Sequence, residues 1–110
     1  MENLFYKFIS YLPSSKGKKN LNHLLGVLRN NGIEIELKKY NDESGEYYTA
    51  NSVNLSNKEI ITSGKDLIEL DHNIKDAIFT AYHVPAFYCD YNLIKTPLAA
   101  EQKNYKYATA

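Results

Sequence analysis

The chain has 110 residues, 44% hydrophobic and 24% charged: enough for one buried core, too little for two independent functional domains, and unlike a disordered or fibrous composition. Thirteen Lys plus Arg balance thirteen Asp plus Glu, so no long-range field draws the whole molecule to nucleic acid or to an acidic membrane. The single Cys89 excludes an intramolecular disulfide, and it forms no zinc-binding spacing with His23, His72 and His83.

The opening stretch MENLFYKFISYL carries Glu2 rather than a basic cluster, and Lys7 and Ser10 interrupt its apolar residues. That pattern argues against a secretory signal. No apolar run approaches the roughly 20 residues that a membrane-spanning helix needs. A cytoplasmic protein with no membrane partner is the expectation.

In chain order, Leu4, Phe5, Phe8, Ile9 and Leu12 recur at helical spacing and are closed by Pro13, predicting a helix over 3–12. SSKGKKN reads as a polar lysine loop. Asn20 then caps a second helix with Leu21, Leu24, Leu25 and Leu28 on one face. Gly32 is placed as its left-handed stop. From Ile33 the period becomes two: Ile33, Ile35 and Leu37 alternate with Glu34, Glu36 and Lys38, the pattern of a strand with one wet face.

The turn cluster NDESGE separates that strand from YYTANSVNL, so the two form a hairpin. EIITS at 59–63 supplies a third strand. Gly64 ends it, and Asp66 caps a helix whose stripe is Leu67, Leu70, Ile74, Ala77, Ile78 and Ala81. Pro85 closes that helix. AFYCDYNLI at 86–94 is read as a fourth strand, and the tail from Thr96 as polar and partly irregular.

The organisation expected is therefore a single domain over 1–110, with a helical part at 1–32, a β-β-β-α-β core at 33–95 and a tail at 96–110. Its class is α+β, a mainly antiparallel three- to four-stranded sheet covered on one face by helices. A short edge strand would stay available for another chain, a second copy included.

Candidate chemistry is sparse. His72 and Asp76, four residues apart, share a helix face and could form a general-base pair, but a solvated surface pair is the better explanation. His83 at a helix end fits the helix dipole. Cys89 reads as a buried structural thiol. The acidic groups at 42–43 and at Asp66, Glu69 and Asp71 have bland readings as turn and helix-start residues; a metal cluster of Asp71, Asp76 and Asp90 would require them to converge. The five glycines are isolated, so no phosphate loop exists. No catalytic residue, metal or cofactor is assigned. Ten tyrosines are the compositional oddity, serving either a core or a partner surface.

GEYYTA, then ITSGKDL, then NIKDAI resembles the core of the HicB family of antitoxins, through Tyr48, Ala50, Gly64, Asp66, Asp76 and Ala77. The resemblance covers residues 33–84. Two departures stand out: NLSNKEII replaces the family's proline–glycine turn, and the tail after Lys95 lacks the pattern of the DNA-binding domain that many such antitoxins carry. What the resemblance implies is a non-enzymatic protein-binding module that occludes a small RNA-cleaving toxin. Under that implication the expected contacts are Tyr47, Tyr48, Asn51, Asp66, Glu69 and Asp71, the acids because RNA-binding partners tend to be basic. The alternative is a stand-alone inhibitor or adaptor, for example from a mobile element, that blocks a larger protein complex. The partner in both is another protein rather than nucleic acid.

Overall fold

The computed structural model describes residues 14–97 and 104–110. The helix expected over 3–12 lies outside these residues. Within them the order is α1 (Ser15–Asn30), β1 (Ile33–Asp42), β2 (Gly45–Ser52), β3 (Ile61–Gly64), α2 (Leu67–Ala81), two short 3-10 turns (Ala86–Tyr88 and Tyr91–Leu93), β4 (Ile94–Lys95) and β5 (Asn104–Thr109). The fold is α+β.

α1 begins a turn and a half earlier than the sequence predicts. Ser14, not Asn20, is its N-cap, and the Ser14 hydroxyl accepts from the Gly17 amide. The lysine stretch is therefore helical. Gly32 does end this region at φ 70°, and its amide reaches back to the Val27 carbonyl, as a left-handed C-terminal stop requires.

β1 and β2 form the expected antiparallel hairpin, in register from Asp42 with Gly45 to Ile35 with Ser52. Asp42 accepts from the Ser44 amide and hydroxyl inside the turn, which holds its carboxyl below the usual range. Among the described residues the sheet has five strands in the order β3-β2-β1-β5-β4, all paired antiparallel. Two corrections account for the extra strand. Residues 86–94, expected as a fourth strand, hold the two 3-10 turns and give only Ile94 to the sheet, where it forms β4 with Lys95; Pro85 removes an amide at the start, and Asp90 accepts from the Asn92 amide to close a turn. The tail, expected as partly irregular, supplies β5, which lies between β1 and β4.

Asp66 caps α2, accepting from the Glu69 amide, and the Glu69 carboxylate accepts from the Lys65 amide. The first bond satisfies an amide that the helix itself leaves free, and the second ties the residue before the cap to the first turn. Leu24 and Leu28 of α1, Leu70, Ile74, Ile78 and Phe79 of α2, and Ile33, Ile35, Ala50 and Tyr107 of the sheet bury into a single core. Gly64 makes the α2 junction possible: a Cβ there would stand 2.6 Å from the Leu70 amide nitrogen.

Candidate functional site

Strand alternation sorts the hairpin into two sides. Ile33, Ile35 and Ala50 are buried in the core. The intervening residues, Glu34, Glu36, Lys38 and Tyr40 on β1, point the other way and are exposed or half-buried. Directly opposed residues share a side, so the register places Ile61, Asn51, Glu36 and Asn104 in one row across four strands. Tyr40 and Tyr47 face each other at the hairpin end. Their rings stack at 5.2 Å and 16°. Tyr40 is 42% exposed and Tyr47 is half-buried.

The six expected contact residues do not gather on one surface. Tyr47 and Asn51 lie on the side away from the core. Tyr48 lies on the other, packed against the core margin with the Lys39 ammonium 5.9 Å from its ring centre. Asp66 and Glu69 cap α2. Asp71 turns inward: its carboxylate accepts from Tyr107 at 2.8 Å and Thr96 at 3.0 Å and pairs with Lys75 at 3.2 Å. Tyr40, which the sequence pattern does not single out, takes its place opposite Tyr47 from the hairpin register.

His72 and Asp76 both meet Tyr91 rather than each other. The Tyr91 hydroxyl donates to Asp76 at 3.0 Å, and the His72 ring lies 4.9 Å from the Tyr91 ring. Burial first, then the bond to Asp76, pushes the Tyr91 phenol up to about 12. The Cys89 thiol donates towards the Val84 and Pro85 carbonyls, and burial, with the Asp76 charge, raises its pKa. A thiol so held is protonated and a poor nucleophile. Among the described residues, no group of three or more His, Cys, Asp or Glu could hold a metal ion.

Two grooves flank this framework. One, of about 420 Å³, lies between α1 and the loop after β2, with His23, Asn54, Lys58 and Tyr82 in its wall; the Lys58 ammonium sits 5.0 Å from the Tyr82 ring centre. The other, of about 300 Å³, runs between edge strand β3 and α2. Comparison of the chain with protein-family models, with curated proteins and with solved structures finds no significant match. No helix of the described residues is long and apolar enough to cross a membrane.

Proposed function

We propose that this chain is a non-catalytic protein-binding module of HicB-like type, which neutralises a small RNA-cleaving toxin by covering its catalytic and RNA-binding face. In this reading both helices cover the side of the sheet that carries Ile33, Ile35 and Ala50, and the opposite side docks the partner in the cytoplasm. The observation that carries it is the stacked Tyr40–Tyr47 pair on the side away from the core. Rigid aromatic area with a hydroxyl at its rim is the commonest anchor of a protein interface. Thr49, Asn51 and Glu36 extend the same side with hydrogen-bonding groups, which suits the polar rim of such a surface.

A second reading, a stand-alone inhibitor that blocks a larger complex, is favoured by β5. Residues 104–109 belong to the sheet itself, between β1 and β4, so the tail is built into the binding module. Both readings share the docking surface and differ in the partner.

The test is affinity capture of the tagged chain from its native host at moderate salt, followed by the same capture with the Tyr40→Ala/Tyr47→Ala double variant. A small basic protein in near-equal amount supports the antitoxin, and a large assembly supports the inhibitor. Either should be bound at least about tenfold more weakly by the double variant. Undiminished binding would show that the tyrosine surface is not the interface.

A further inference from the structure

The edge strand β3 leaves main-chain groups unused. The Ser52 amide donates to the Ile60 carbonyl at 2.9 Å, which fixes residues 60, 62 and 64 as those bonded to β2. In an antiparallel ladder the residues between them, Ile61 and Ser63, turn their amides and carbonyls outward. The Ser63 carbonyl is closed by the Asn73 side-chain amide at 2.8 Å. Among the described residues, no strand pairs with the outward N–H and C=O of Ile61 or the outward N–H of Ser63.

These groups open onto the groove between β3 and α2. Its wall includes Ile61, Ala77 and Ala81, polar Asn73, and the carboxylates Glu59 and Asp76, with no lysine, arginine or histidine among the described residues that line it. One Asp76 oxygen accepts from Tyr91, which fixes the carboxylate in place. The chain as a whole has no net charge, so the negative character belongs to this groove.

We propose that the groove between β3 and α2 binds an extended, basic segment of a protein partner, which adds to β3 as a further strand and sets its cationic side chains against Glu59 and Asp76. Main-chain bonds to Ile61 and Ser63 supply pairing, and the carboxylates select the sequence. Asn73 stops the added strand at Ser63, so the register centres on Ile61. A second copy of this chain is the poorer occupant: pairing β3 with itself brings a second Glu59 and Asp76 into the same negative groove, and opposed like charges are destabilising. The proposal rests on the protein-binding reading above and assigns it a second contact, separate from Tyr40 and Tyr47.

The isotope-labelled full chain is titrated by nuclear magnetic resonance with a short synthetic peptide of alternating lysine and threonine. Parallel titrations use the same peptide with glutamate for lysine, and a copy N-methylated along one strand edge. The expected result is that the lysine peptide moves the amide signals of Ile61, Ser63, Asn73 and Ala77, while the other two peptides do not. Glu59→Gln/Asp76→Asn, in which the Asn can still accept from Tyr91, should weaken the lysine peptide about tenfold. No binding of that peptide, equal binding of the glutamate peptide, signal changes elsewhere, or self-association of the free chain through β3 would overturn the proposal. The two readings fail separately. A captured partner whose affinity ignores the Glu59→Gln/Asp76→Asn change removes the groove but leaves the docking module, whereas a partner insensitive to Tyr40 and Tyr47 removes the tyrosine surface alone.

Discussion

The Tyr107 hydroxyl donates to the Asp71 carboxylate across 2.8 Å, joining the strand nearest the C-terminus to the first turns of α2. Lys75 and Thr96 complete the cluster: the Lys75 ammonium bonds Thr96 and pairs with Asp71, and Thr96 donates to Asp71. Lys75 is only 8% exposed. A buried charge of this kind persists because every partner is in place.

Removing one member should therefore cost more than its own bond. Asp71→Ala leaves the Lys75 ammonium buried without its counter-charge and is expected to destabilise the fold by about 3 kcal/mol. Tyr107→Phe loses one hydrogen bond while keeping the ring, at about 1 kcal/mol. The Asp71→Leu/Lys75→Met double variant should recover most of the Asp71→Ala loss, since it removes the buried charge as well as its partner. Urea unfolding of the three variants measures all three quantities. A loss for Asp71→Ala no larger than that for Tyr107→Phe would mean that Lys75 reaches water freely.

Alkaline pH should act through the tyrosines. Tyr91 is raised from 10.0 to about 12, and burial together with the bond to Asp71 raises Tyr107 further still. The unfolded chain therefore gives up these protons at lower pH than the folded one. Their contribution is fully present below about pH 10 and is lost as pH rises through the folded values. The urea midpoint should fall steadily between about pH 10 and 12, and Tyr91→Phe should flatten the early part of that fall. A slope unchanged by Tyr91→Phe would place the alkaline loss in other groups.

Much of the architecture is legible in residue order, and the failures have particular causes. β1 is plain because Ile33, Ile35 and Leu37 alternate with charged residues, and α2 because Asp66 precedes an unbroken apolar stripe. The start of α1 was hidden by composition: Lys16, Gly17, Lys18 and Lys19 resemble a loop, and the one pointer to the helix was Ser14 as cap. β5 carried a readable signal, since Tyr105 and Tyr107 alternate with Asn104 and Lys106 and are both buried. The polar, alanine-rich residues around it concealed that period. Residues 86–94 have strand-forming side chains, but Pro85 and the Asp90–Asn92 turn decide their backbone locally. The placement of the expected contacts was half legible: strand alternation puts Tyr47 and Asn51 on the side away from the core, whereas the inward turn of Asp71 depends on β5 and could not be seen before that strand was placed.

Two glycines should respond to alanine with opposite signs. At Gly64 the new Cβ would stand 2.6 Å from the Leu70 nitrogen and 2.8 Å from its Cα, and backbone cannot move aside as a flexible side chain does. Gly64→Ala is expected to cost about 2 kcal/mol by forcing α2 from β3. At Gly26, inside α1, a Cβ meets nothing within 4 Å. Gly26→Ala should stabilise by about 0.5 to 1 kcal/mol, because alanine lowers the entropy of the unfolded chain. Thermal unfolding of the pair is the measurement, and a neutral Gly64→Ala would mean that the β3–α2 junction is looser than its geometry.

Asp66 has two candidate roles, helix cap and acidic contact, and a substitution can separate them. Its carboxylate accepts from the Glu69 amide at 2.8 Å, a bond that a serine hydroxyl can also make at this position. Asp66→Ala should lose about 1 kcal/mol of stability, and Asp66→Ser should lose little. If Asp66 also meets a basic partner, Asp66→Ser should weaken capture of that partner as strongly as Asp66→Ala does, since both remove the charge. A partner that binds Asp66→Ser as well as the parent chain would confine Asp66 to the cap. The docking surface would then consist of the tyrosine side of the sheet and the groove beside β3, with the start of α2 acting only to hold Gly64 and β3 in position.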